Sequence, residues 1–280
     1  MSANALQDPT ASLGGFLRDR RARLRPAAET QGRRRTPGLR REEVAARAGV
    51  SVTWYTWLEQ GRGGPPSDEV LERLVRALEL DDAAREMLFL LARPRRPAAA
   101  PTAPPRVSSA VQHVLDAMLS SPAIVKTATW DVVAWNAAAA ALFVDRAATP
   151  ANGYNTLRRL FCDPSARLSL PDWEENARFA VAVFRIAVAR GGGSPEAADL
   201  IADLQAASAD FRRLWAENEV RNHGPGLKRF YDPAVGHYAL EVSTFAVEGA
   251  EGLTMMVFTP ASAADARAME TLLARRDQAA

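Results

Sequence analysis

The sequence predicts two domains of different class, an all-α N-terminal domain of five helices and an α+β C-terminal domain. Three observations carry this. Residues 1–93 show apolar residues at helical spacing throughout, whereas residues 107–280 mix helical patterns with β-branched, strand-like runs. Between them, Pro94 to Arg106 reads PRRPAAAPTAPPR, five prolines with no apolar periodicity. Proline removes backbone donors and fixes φ, so residues 94–106 are expected to form a semi-rigid linker that leaves the angle between the domains open. A length of 280 residues suits two domains of about 100–200 residues each.

The elements follow in order. Leu13, Phe16, Leu17 and Leu24 mark an amphipathic first helix, and Arg25 to Leu39 is a long basic loop. Arg41 to Ala48 and Val52 to Gln60 are two short helices hinged at Gly49. Ser67 or Asp68 caps a fourth, whose apolar face carries Val70, Leu71, Leu74, Val75 and Leu78. Asp81 and Asp82 open a fifth, with Met87, Leu88, Leu90 and Leu91 as an apolar surplus that suggests an interface. Beyond the linker, Val107 to Leu119 reads as helix, and Ala123 to Trp135 suits a hairpin interrupted near Thr129–Asp131. Helices are expected over Asn136–Phe143, Tyr154–Phe161, Asp172–Arg190, Pro195–Gln205 and Phe211–Glu217. Strands at Leu227–Tyr231, His237–Val247 and Leu253–Thr259 precede a last helix after Ser262.

Composition narrows the function classes. Hydrophobic residues make up 48% and charged residues 24%, as in water-soluble globular proteins. The longest apolar runs fall far short of the roughly 20 residues that span a bilayer, and the arginine-loaded N-terminus carries no secretion signal. A cytoplasmic protein without membrane insertion is expected. Cys162, the single cysteine, reads as a small core residue. His113, His223 and His237 have no metal-ligand spacing and no nucleophile motif beside them, so neither enzyme chemistry nor a metal or other cofactor is expected. Residues 1–100 hold 18 arginines against 13 acids, a balance of +5, while the remainder holds 17 basic residues against 20 acids, a balance of −3. A basic front and a mildly acidic rear assign any polyanion to the front. Nearly all the basic residues are arginine, with Lys126 and Lys228 the exceptions, a bias read here as that of a GC-rich genome.

The string REEVAARAGVSVTWYTWLEQGRG, from Arg41 to Gly63, is the most informative. Val44, Ala45 and Ala48 form an inner helix face, and Ala45 is small where the next helix crosses. Gly49 suits a sharp turn, Val50 plugs it, and Ser51 can cap the second helix. Tyr55 and Leu58 point back into the core, leaving Val52, Thr53, Thr56 and Trp57 outward. Hinge, cap, core positions and the LEQG ending together resemble the lambda-repressor-like, or XRE, helix-turn-helix family over roughly residues 13–92. That resemblance implies a double-stranded DNA operator as partner. It places Arg41 at a phosphate, puts Thr53, Trp54 and Trp57 at the groove, and pairs Glu59 with Arg21. Arg33, Arg34 and Arg35 are candidates for the DNA backbone, and Arg62 completes the set. Trp54 and Trp57 are equally readable as packing residues. The face is poor in the usual base readers, which shifts specificity toward thymine methyls and DNA shape. One such unit with no internal repeat implies a homodimer on a palindromic site.

The rear sequence resembles the ligand-binding domain of MmyB-like regulators, which has a PAS-like fold. The resemblance rests on WDVVAWN (Trp130 to Asn136), NTLRRLFCDP (Asn155 to Pro164), DWE (Asp172 to Glu174), FRRLW (Phe211 to Trp215) and GLKRFYDPAVG (Gly226 to Gly236). Asp232 departs from the family, which shows histidine before the proline. The resemblance implies a small apolar, fatty-acid-like ligand. Trp130, Trp135, Phe143, Phe161, Trp173, Phe179, Phe184, Phe211, Trp215, Phe230 and Met256 are available to an apolar cavity, each also readable as core, and Trp135, Phe179, Phe211 and Trp215 are the candidate contacts. Arg158 and Arg185 are candidates for a ligand carboxylate, and Asn136 is either a helix cap or a contact. The alternative is a regulator whose rear domain serves protein interaction or dimerisation without a ligand.

Overall fold

The computed structural model describes residues 12–25, 38–62, 64–93, 106–143, 154–222, 226–250 and 252–278. Five helices build the N-terminal unit: α1 (Leu13–Arg23), α2 (Arg41–Ala48), α3 (Val52–Glu59), α4 (Asp68–Ala77) and α5 (Asp82–Ala92). A free first-turn amide needs an acceptor, and the side chains of Ser12, Ser51, Ser67 and Asp81 supply one to α1, α3, α4 and α5. Gly49 ends α2 at φ 64°, a left-handed conformation that a Cβ disfavours, and the chain reverses there into α3. Phe16, Leu17, Val44, Tyr55, Leu71 and Leu88 interlock as the core of this unit.

Helices α1 and α3 cross at Gly14, where an added Cβ would lie 2.3 Å from the Glu59 carbonyl oxygen. Backbone cannot yield as a side-chain tip can. Gly14→Ala is therefore expected to cost about 1–3 kcal/mol through overpacking. A thermal melt unchanged from the parent would show that α1 moves aside freely.

The C-terminal unit is an α+β domain. Helix α6 (Ser109–Ala117) leads into the hairpin β1 (Ala123–Lys126) and β2 (Asp131–Trp135), followed by α7 (Ala137–Leu142) and β3 (Tyr154–Asn155). A helical block comes next: α8 (Thr156–Cys162), α9 (Pro164–Ser169), α10 (Trp173–Arg190), α11 (Pro195–Ala207) and α12 (Ala209–Ala216). The chain then returns through β4 (Gly226–Asp232), β5 (Gly236–Ala246), β6 (Thr254–Pro260) and α13 (Ala263–Gln278). The six strands form one antiparallel sheet in the order β3-β2-β1-β6-β5-β4. Strand side chains alternate between faces. Ile124, Phe230, Leu240, Met256 and Phe258 share the face covered by α7 and α13, and Ala123, Val125 and Ala134 share the face under α6.

Three expectations change. Tyr154 and Asn155 are not helical: they form an edge strand on β2, and the Asn155 side chain then accepts the Leu157 and Arg158 amides to start α8. Helix α9, opened by Pro164 in its first turn, went unread between two longer patterns. The two units also do not hang on an open angle. Ile186 and Val220 of the rear unit lie in the same apolar cluster as Met87 and Leu88, and Arg190 pairs with Glu86 at 2.6 Å. The Arg20 guanidinium donates to the Asn218 carbonyl at 3.0 Å, and Arg23 donates to that of Glu217. The apolar surplus of α5 is therefore taken up within the chain, by α1 and α10, which removes it as an argument for a dimer interface.

Candidate functional site

Helix α3 stands with its inner side locked and its outer side open. Ser51, Val52, Thr53 and Trp57 are exposed, and Trp57 leaves 51% of its surface to water. Thr56 is half-buried, and Trp54, also half-buried, packs partly against the helical core. Arg62 is exposed just past the helix, where its amide donates to the Trp57 carbonyl at 2.8 Å. Arg33, Arg34 and Arg35 lie outside the described residues.

Beneath this face sits a buried ion cluster. The Glu59 carboxylate has no solvent exposure and receives Arg21 Nε at 2.6 Å and Arg41 Nε at 2.7 Å. Arg21 also donates to the Leu39 carbonyl at 2.7 Å, tying α1, α3 and the start of α2 together. Burial alone would raise the Glu59 carboxyl, but the hydrogen bonds from Arg21 and Arg41 outweigh it and hold the group below the usual glutamate range. Arg41 is thus anchored by its Nε while its side chain stays 40% exposed.

The second site is a cavity of about 1420 Å³ between the sheet, α13 and the helical block. Its apolar wall includes Trp130, Phe143, Phe230, Tyr238, Met256 and Phe258. Its polar side includes Asp131, Arg158, Arg159 and Lys228. Pockets for small ligands are commonly about 300–1,000 Å³, so this one has room for an extended apolar chain.

Of the ligand candidates read from the sequence, Arg158 lines the cavity and pairs with Asp203 at 2.6 Å. The other six line a core instead, each for a definite reason. Phe211 and Trp215 stack on each other at 5.6 Å inside the helical block, and Phe179 packs against the same cluster. Arg185 is buried there, with its guanidinium 3.9 Å from the Trp215 ring centroid. Trp135 packs against the sheet cluster. Asn136 is fully engaged with backbone: its Oδ1 accepts from Ala123 and Ala139, and its Nδ2 donates to Met118 and Ser121. Sequence reasoning passed over Lys228, which alternation along β4 places on the Phe230 face, and Tyr238, the cross-strand partner of Phe230 on β5. Asp232, the departure from the family pattern, lines the cavity and accepts the Ala234 amide at 2.8 Å. Cys162 is exposed, not a core residue.

A helix-turn-helix with an open α3 face, joined to a sheet domain with an apolar cavity, defines a ligand-responsive DNA-binding transcription regulator. The comparisons agree: residues 12–88 match a helix-turn-helix domain, and residues 107–272 match the MmyB-like transcription regulator ligand binding domain. The chain belongs to the MmyB-like transcription regulator family. No curated protein matches it. Both matched families are those of regulators, not enzymes. Among the described residues, no group of three His, Cys, Asp or Glu could hold a metal, and no helix is long and apolar enough to cross a membrane.

Proposed function

We propose that the chain is a sequence-specific DNA-binding regulator, cytoplasmic and homodimeric on its operator, whose rear cavity takes a fatty-acid-like ligand that changes DNA affinity. Residues 1–93 read DNA, 94–106 link, and 107–280 sense. The observation that supports the coupling is the direct packing of α5 on α10, a helix that also lines the cavity through Asn176 and Ala180. A ligand acts only through a difference in affinity between DNA-competent and incompetent states, and a helix shared by both sites is a physical place for that difference.

The DNA face consists of Arg41, Ser51, Val52, Thr53, Trp54, Thr56, Trp57 and Arg62. Thr53→Ala is expected to relax sequence preference, and Arg41→Ala to weaken all sites alike while lowering the salt dependence by about one phosphate contact. Gel shifts in which both variants match the parent would remove this face. Long-chain fatty acids are expected to raise the melting temperature and alter operator affinity. Exposed Leu227 and Phe245, on the sheet face away from the cavity, favour a second role for the rear domain as a dimer contact.

A further inference from the structure

Lys126 and Lys228 are the two lysines among 35 basic residues, a hundred positions apart, yet the sheet turns both to one face. Lys126 stands two residues beyond Ile124 on β1, and Lys228 two before Phe230 on β4; Ile124, Phe230 and Lys228 all line the cavity. Lys126 is 1% exposed, and its Nζ has no hydrogen-bond partner. The amine lies 3.2 Å from the ring centroid of Trp130, itself a cavity wall. Trp130 is held at φ 65°, which a bulky L-residue adopts only when its surroundings impose it. The Trp130 amide donates to Thr127 at 3.0 Å, and its carbonyl accepts from Thr156 at 3.1 Å.

The neighbouring charges leave this amine unanswered. The Asp131 carboxylate is occupied by Thr129 at 2.5 Å and Asn155 at 2.9 Å. Arg158 is paired with Asp203, and Arg159 donates to Tyr154 Oη at 3.0 Å and to the Phe143 carbonyl. Burial, and after it the Lys228 charge, push Lys126 well below the usual lysine range. Lys228 is only half-buried by surface, but it lies deep along the cavity wall, and that desolvation lowers it to about 8. A buried amine with no hydrogen-bond partner and no counter-charge is costly unless something else brings one.

Resting on the reading that the cavity holds an apolar ligand, we infer that Lys126 and Lys228 form its anion end and bind the carboxylate of a single-chain amphiphile beside Trp130. The tail then lies along Phe230, Met256 and Phe258. The carboxylate supplies the missing charge and the acceptor for Lys126 Nζ.

Palmitic acid and hexadecanol, equal in chain length and different in head group, separate the cases in calorimetric titration of the full chain. The parent is expected to prefer the acid by tenfold or more. Lys126→Met is expected to erase that preference by weakening the acid alone, and Lys228→Met to reduce it several-fold. A preference kept by both variants, or absent from the parent while both compounds bind, overturns the anion site and leaves the apolar cavity standing. Binding of neither compound overturns the ligand reading and the inference with it.

Discussion

Glu59→Ala is expected to destabilise the helix-turn-helix by about 3–5 kcal/mol, the cost of leaving a buried charge without its partner. Arg21 would keep its bond to the Leu39 carbonyl but lose the carboxylate that neutralises it. Arg41, deprived of the anchor on its Nε, would swing free at the start of α2. Operator binding should fail at temperatures where the parent binds fully, although the altered side chain has no exposure to solvent. The carboxyl titrates below its ordinary value when folded. Its contribution is therefore present above the unfolded glutamate value of about 4.3, and is lost as pH falls through the lower folded value. Chemical denaturation at pH 7 and pH 3 checks this. Equal losses of stability in Glu59→Ala at both would contradict the ion cluster as the source.

Lys126→Met is expected to act in the opposite sense, raising the stability of the ligand-free protein by about 2–4 kcal/mol. It removes a desolvated amine and fills the same space with apolar atoms. For a chain of this size that corresponds to roughly 4–12 °C in melting temperature. The folded amine titrates below the unfolded value of about 10.4, so the parent gains stability as pH rises from the folded toward the unfolded value. Lys228 and Asp131 face the same region and are unchanged in the variant, so the variant's advantage should shrink on approach to pH 10. A Lys126→Met variant no more stable than the parent at pH 7 would mean that the amine is solvated or paired.

The DNA-binding half was legible because each of its requirements acts within a few residues. Ser51 caps one turn ahead, Gly49 answers a local left-handed φ, and Ala45, Tyr55 and Leu58 fall on a single helical period. The cavity was legible only in part: Trp130, Phe143, Phe230 and Met256 were available for it in the sequence and do line it, but its walls come together only through the sheet. Phe211 and Trp215 satisfy helical spacing as well as any cavity lining would, and burial inside the helical block decided them. Tyr154 and Asn155 make too short a strand to show a period, and Asn155 doubles as a helix cap, which disguised the strand as helix. The two lysines were read as exceptions to an arginine bias. Their shared face follows from the order and register of β1, β6, β5 and β4, a relation that carries no sequence signature.

Helix α10 reaches the cavity at one end and α5 at the other. A helix rises about 1.5 Å per residue, so Asn176 at the cavity and Arg190 at α5 stand about 21 Å apart along it. Over that arm a tilt of about 5° displaces the far end by about 1.8 Å. If two copies bind a two-fold operator as proposed, and α5 passes the whole displacement on, the distance between their α3 helices would change by up to about twice that. The rise of one base pair is about 3.4 Å. An adjustment at the cavity too small to alter the fold would put the second reading head one base step out of phase.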